Sequence, residues 1–316
     1  FALTAAQQRA LGQVEHDLAQ PHPMQRLLQG DVGSGKTIVA ALAALQAVEN
    51  GAQVAIVAPT EILTEQHYRK FSSWLTGLGV TVTWVTGGLR KRDKAAALAQ
   101  VAEGETQVAV GTHALFQEDV RFRNLALAIV DEQHRFGVHQ RLALRMKGVR
   151  AGESAQPHQL MMSATPIPRT LAMSYYADLD VSVIDELPPG RTPVATKLVS
   201  DIRRDEVIQR VRDACMAGSQ AYWVCPLIEE SETLQLKTAL ETHAAVSAAF
   251  PELNVGLVHG RLKSDEKAAV MAAFQAGLIR LLVATTVIEV GVDVPNATLM
   301  VIEHAERMGL SQLHQL

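Results

Sequence analysis

The sequence predicts an α/β protein of two lobes, each built on a parallel sheet. Three observations predict it. Short apolar runs alternate with helical stretches along the whole chain. The runs read as near-continuous hydrophobic segments, the pattern of strands buried on both faces. A proline- and glycine-rich window, "DELPPGRTPV" at 185–194, interrupts the alternation once, and the alternation then restarts. The expected domains are therefore 1–188 and 189–316.

In the first lobe the expected strands are "RLLQG" (26–30), "QVAIVAP" (53–59), "VTVTWVTG" (80–87), "TQVAVGT" (106–112), "LALAIVDE" (125–132), "HQLMMSAT" (158–165) and "VSVIDEL" (181–187). Helices are expected between most of them, among them 37–50 and 61–78. The apolar stripe of "TIVAALAALQAV" marks a helix face turned to the core. In the second lobe the expected strands are "VATKLVS", "QAYWVCPLI", "NVGLVHG" and "IRLLVATTV". Helices over 201–217, 233–250 and about 264–276 separate them. No sequence repeat between the lobes stands out.

Composition narrows the function classes. The chain has 316 residues and 48% hydrophobic content, enough for two ordinary cores. No apolar run reaches the ~20 residues needed to cross a bilayer, so no membrane partner is expected. The two cysteines, Cys215 and Cys225, lack C-x-x-C spacing and have no histidine pair at zinc spacing. They read as small core residues, with no structural metal, in a reducing, cytoplasmic setting. The net charge of -4 argues against a nucleic-acid coat protein without excluding a local basic track. At 4% aromatic content an extended base-stacking platform is not expected.

The chemistry is concentrated in "GDVGSGKT", residues 30–37, which follows an apolar strand and opens a helix. Glycines at 30, 33 and 35 permit the turn and a close approach. Backbone N–H groups from Gly33 through Ser34, Gly35 and Lys36 to Thr37 would cradle a phosphate, helped by the helix N-terminus. Lys36 would neutralise the β- and γ-phosphates of ATP, and the Thr37 hydroxyl would ligate Mg²⁺. The bland alternative is a chance glycine-rich turn. About 95 residues on, four apolar residues lead into Asp131 and Glu132. Asp131 would hold Mg²⁺, through water, and Glu132 would act as general base on the attacking water. The bland alternative is an acidic pair on the surface at a strand end.

"DEQH" at 131–134 is more specific than a bare acidic pair, and with it the chain resembles the superfamily 2 helicase and translocase motors. The resemblance implies two RecA-like lobes with an ATP cleft between them. "LTAAQ" (3–7) resembles the adenine-reading motif, with Gln7 at the matching position. "APTEILTEQH" (58–67) and "GTHALFQ" (111–117) resemble motifs that touch a nucleic-acid backbone, which implies contacts from Thr60, Thr112 and His113. "SATPIPRT" (163–170) is similar to the motif linking hydrolysis to motion, so Ser163 and Thr165, with Gln133 and His134, are implied in coupling. "VHGRLKSDEK" and "ATTVIEVGVDVPN" resemble second-lobe motifs, with Gly291 and Asp293 implied at the nucleotide and Thr285 on the tracked strand. Bland alternatives stand beside these: His113 as a loop cap, the prolines of "SATPIPRT" as a strand end, and "GLRKRDK" (88–94) and "RMKGVR" (145–150) as solvated basic stretches rather than phosphate contacts.

Taken together, "GDVGSGKT", "DEQHRFGVHQR", "MSATPIPRT" and "TTVIEVGVDVPNA" are most similar to the bacterial branch-migrating DNA helicases. Ser34 and Gln133 separate them from the motor of the transcription-repair coupling factor. This resemblance implies branched or duplex DNA as partner and nucleoid association when on DNA. In the family the next motif, R-G-R-V-G-R, carries arginine fingers, which contribute ~10³–10⁵ in rate in related enzymes. The chain opens on Phe1 and stops at Leu316, so a motor fragment with a C-terminally truncated second lobe and weak hydrolysis alone is the expectation. Two other readings stay open: a binding module switched by ATP without translocation, and an RNA helicase.

Overall fold

The computed structural model describes residues 2–117, 120–132, 156–165, 179–186, 194–225, 232–285, 294 and 296–316. The chain divides into two units, Phe1–Thr192 and Pro193–Leu316.

In the first unit the seven expected strands form one parallel sheet: β1 (Gln25–Gly30), β2 (Gln53–Val57), β3 (Val82–Val85), β4 (Val108–Gly111), β5 (Leu125–Val130), β6 (His158–Ser163) and β7 (Asp180–Ile184), in the order β3-β4-β2-β5-β6-β1-β7. Successive side chains alternate between faces, so each apolar run feeds two cores. Leu28, Ile56, Ile129 and Leu160 join one cluster with α1 (Ala5–Leu18), α2 (Lys36–Glu49) and α3 (Glu61–Leu75). Leu27, Val57, Ala128 and Met161 join the other, covered by Ala97 and Val101 of α4 (Lys91–Glu103). Arg90 is the residue capping α4, so the basic stretch "GLRKRDK" is the exposed start of a helix.

A polar staple fixes α1 to the sheet. Buried Arg26 on β1 donates to Asp17 at 2.6 Å and to Ser182 of β7 at 2.9 Å, and Ser182 donates to Gln13 at 2.6 Å. Burial of the guanidinium is tolerable because its donors are engaged. The staple holds the end of α1 against the start of β1, and at the other end of α1 the Gln7 side chain reaches the glycine-rich loop that follows β1.

The second unit has a four-stranded parallel sheet among the described residues: β8 (Gln220–Val224), β9 (Val255–Val258), β10 (Leu281–Ala284) and β11 (Ala297–Ile302), in the order β11-β8-β10-β9. α5 (Arg204–Met216) and α6 (Glu232–Ala249) pack on the face carrying Trp223 and Val283. α7 (Ser264–Gln275) packs on the face carrying Tyr222 and Leu282, where Phe274 is fully buried. Burying one such side chain contributes about 1.5–3 kcal/mol.

Two features of this unit differ from the expectation. "VATKLVS" is not a strand: residues 194–200 run without regular structure, and Leu198 is 96% exposed. Its apolar spacing suits a strand, but no described strand edge takes it up, and a lone strand has no partner for its amides. β11 is a strand that the apolar pattern did not predict; its six residues "ATLMVI" lie directly after a motif-rich stretch.

Candidate functional site

The C-terminal ends of the parallel strands of the first unit gather the predicted chemistry, where open α/β sheets carry their ligands. The loop after β1 turns through Gly33 and Gly35, whose φ angles of 79° and 89° lie in the left-handed region that glycine alone adopts freely. Gly35 has a second reason to be glycine: a Cβ there would sit 2.3 Å from the Gln7 amide nitrogen. That amide donates to the Ser34 carbonyl at 2.8 Å, while its oxygen accepts the Thr4 N–H at 3.0 Å. Gln7 thus closes a capping box on α1 and braces the loop with the same side chain.

Lys36, the first residue of α2, folds its ammonium onto the Gly30 and Asp31 carbonyls at 2.6 and 3.0 Å. The Ser34 hydroxyl is buried in the loop without a hydrogen-bond partner among the described residues. An unpaired buried hydroxyl is costly and calls for a missing partner. With the amides at the start of α2, it fits a phosphate oxygen. A pocket lined by Gln29, Gly30, Asp31, Ala164, Ile184 and Glu186 opens beside the loop.

Asp131 follows β5 and keeps the sheet register through its N–H to the Val57 carbonyl at 2.8 Å. One carboxylate oxygen accepts the Glu132 N–H at 3.0 Å; the other meets His67 Nε2 at 2.7 Å. Burial pushes the carboxyl up, but the His67 contact, the Lys36 charge and the Glu132 amide outweigh it and hold Asp131 below the usual carboxylate range. Asp131 is therefore ionised and available to a cation. Glu132 has φ 50°, an unusual left-handed conformation for a residue with a Cβ. Strain of this kind concentrates at functional sites.

The remaining predicted residues fall into four groups. Ser163 is buried at the end of β6, and its hydroxyl accepts the Thr165 N–H at 3.1 Å. Gln29 donates to the Thr165 carbonyl at 3.3 Å, tying this turn to the strand that enters the glycine loop. Thr60 and Thr112 cap α3 and a short helical turn, accepting the Leu63 and Ala114 amides, and His113 is exposed beside Thr112. In the second unit Thr285 is buried just past β10. Gln133, His134, Gly291 and Asp293 lie outside the described residues, as does "RMKGVR".

His67 is the residue that sequence reasoning passed over, although it closes the quoted stretch "APTEILTEQH". Its signal was a histidine on the buried stripe of α3, with Thr64, Phe71 and Leu75. Among the described residues no group of three or more His, Cys, Asp or Glu is placed to hold a metal, and no helix is long and apolar enough to cross a membrane.

Comparison with known proteins agrees with this geometry. Residues 4–174 match the DEAD/DEAH box helicase family, and residues 204–316 match the helicase conserved C-terminal domain. The chain is 61% identical over its whole length to the ATP-dependent DNA helicase RecG of Escherichia coli strain K12, and 59% identical to that of Haemophilus influenzae. It spans 46% of each of those relatives. A solved RecG bound to a three-way DNA junction superimposes with a TM-score of 0.81 at 45% identity, covering all of this chain and 40% of that one. Yeast Dbp5 bound to RNA and ADP BeF3 shares the fold, with a TM-score of 0.68 at 16% identity over 99% of this chain and 83% of that one. By its motifs, its fold and these matches, the chain belongs to the DEAD/DEAH box helicase family and is similar to RecG over its whole length.

Proposed function

We propose that the chain is the ATP-dependent motor of a DNA helicase that remodels branched DNA, such as forks and four-way junctions, in recombination and repair. The observation that carries the ATP reading is the convergence on one sheet edge of a glycine loop, Lys36, Ser34 and the ionised Asp131. Identity of 61% with RecG supports the branched-DNA reading. Such a protein works in the bacterial cytoplasm, on the nucleoid.

The residues divide the work. The amides from Gly33 to Thr37 bind the phosphates of ATP, Lys36 balances their charge, and Gln7 holds the loop while facing the base. Thr37 and Asp131 hold Mg²⁺, which supplies charge neutralisation at the phosphates when bound. Glu132 accepts the proton of the attacking water. By the motif resemblance, Gly291 and Asp293 are further nucleotide-binding candidates, and Gln133, His134, Ser163 and Thr165 relay hydrolysis to the strand contacts. Thr60, Thr112, His113 and Thr285 contact DNA phosphates. The Thr60 and Thr112 oxygens accept backbone amides, which leaves each hydroxyl proton to donate to a phosphate. Such contacts suit a translocating motor because phosphates are alike at every step.

The test is ATP hydrolysis by the full-length protein with no DNA, single strand, linear duplex and a four-way junction, at fixed salt. Stronger stimulation by the junction than by linear duplex is expected. Equal stimulation by plain duplex would favour a motor of the transcription-repair coupling type. No stimulation by any DNA would overturn the motor reading in favour of a nucleotide-switched binding module.

A further inference from the structure

We propose that His67 is a positioning residue: it fixes the Asp131 carboxylate in the orientation needed to hold Mg²⁺ and ties it to α3. The inference rests on the reading of Asp131 given above.

The geometry assigns the proton. His67 is on the buried stripe of α3, with 7% of its side chain exposed against 14% for Asp131. Its Nδ1 is buried and has no hydrogen-bond partner among the described residues, whereas Nε2 lies 2.7 Å from Asp131 Oδ2. A neutral imidazole carries one N–H. A proton on Nδ1 alone would leave two lone pairs facing each other across that 2.7 Å contact and waste the donor. The N–H therefore sits on Nε2 and points at the carboxylate. The ring is held in turn by the edge of Phe71, centroid to centroid 6.3 Å, and Phe71 is fully buried.

Asp131 is consequently held at both oxygens, Oδ1 by the Glu132 N–H and Oδ2 by His67. Each oxygen of a carboxylate accepts at two lone-pair sites. Each keeps one for a cation or its water, while rotation of the group is fixed. Glu132 is the next residue on the chain, so it cannot set the carboxylate relative to the rest of the fold; His67, 64 residues away in sequence, can. α3 is in turn fixed to β3: Trp84 donates to Thr64 at 3.0 Å and stacks on Tyr68 at 5.9 Å. The same helix begins at Thr60, two turns before His67. An outer partner of this kind orients the ligand at the moment of metal binding.

The experiment compares His67→Leu, His67→Ala, His67→Gln and Asp131→Asn in the full-length protein. A fluorescent ATP analogue is titrated with and without Mg²⁺, and the ratio of the two affinities is the readout. The leucine and alanine variants remove the donor, one keeping volume and one not, so either folded form suffices. Both are expected to lower the ratio about tenfold, the usual scale for losing an outer partner, with metal-free affinity retained. Glutamine, which keeps an N–H donor, is expected to restore part of it. An unchanged ratio in both donor-free variants, with the ratio lost in Asp131→Asn, would overturn the inference alone. An unchanged ratio in Asp131→Asn would overturn the metal reading, and the inference with it. Loss of metal-free affinity equal to the loss with Mg²⁺ would make His67 a fold residue and also overturn the inference.

Discussion

The two units share a four-strand block and use its edges differently. β3-β4-β2-β5 in the first unit corresponds to β9-β10-β8-β11 in the second. Each block is closed at its N-terminal edge by a buried glutamine opening the third strand in that order: Gln53 on β2 and Gln220 on β8. Gln53 donates to the Val101 and Thr106 carbonyls, at the end of α4 and the approach to β4. Gln220 donates to the Phe274 and Ile279 carbonyls, at the end of α7 and the approach to β10. Their own N–H groups reach the Asn124 and Asn296 carbonyls, just before β5 and β11. At the opposite edge the parallel continues: Glu132 and His304, each the second residue after its strand, have φ 50° and 48°.

What differs is the charge at that C-terminal edge. In the first unit Lys36 opens α2 and rests on loop carbonyls, while Asp131 is met by His67. In the second, Arg204 opens α5 and pairs with Glu303 at 2.5 Å, with its guanidinium 5.8 Å from the Trp223 ring centroid. One cation is parked on groups a phosphate can replace; the other is paired with a carboxylate at the position matching Asp131. Shared topology therefore builds the scaffold in both units, and a few side chains decide whether its edge is left for a ligand or filled from within.

The largest effect should separate the two cations. Lys36→Ala is expected to lower ATP hydrolysis at least about 100-fold, as loss of a transition-state donor does, with thermal unfolding unmoved. Arg204→Ala should do the reverse: nucleotide affinity retained and stability lowered by less than about 1 kcal/mol, because its ion pair is half exposed. A drop of many degrees in the unfolding temperature of Lys36→Ala would break the contrast.

The glutamine clasps allow an intermediate test. Gln53 also accepts the Asn124 N–H at 2.9 Å, whereas the Gln220 oxygen is buried without a partner among the described residues. Gln53→Ala should then cost about 3 kcal/mol and Gln220→Ala about 2 kcal/mol, since each strands buried backbone groups. Denaturant unfolding of each variant checks the order, and a larger loss at Gln220 would contradict it. The smallest effect concerns the cysteines. Burial pushes the Cys225 thiol up to about 11 and the Cys215 thiol above its usual value. Both should resist a maleimide at pH 8 in the folded protein and react on denaturation. Fast labelling of either in the native state would show that the second core opens readily.

Much of this was legible in the chain. The seven strands of the first sheet, the glycine loop and the Asp131–Glu132 pair all follow from local pattern, because burial on both faces demands continuous apolar runs and a phosphate turn demands glycine. The second unit was less legible. "VATKLVS" has a strand's spacing without a described partner, and β11 is a strand whose signal adjoined a motif. Whether a run pairs depends on an edge elsewhere in the chain.

The sequence by itself determined the period of its apolar residues, the residue types able to turn at a phosphate, and the order of its motifs. Only the tertiary structure decided that Gln7 braces the Ser34 carbonyl, that His67 meets Asp131, and that Gln53 and Gln220 close matching edges. The physical reason is range. Periodicity and turn chemistry act over a few residues, whereas these hydrogen bonds join groups brought together by packing, 27 to 64 residues apart.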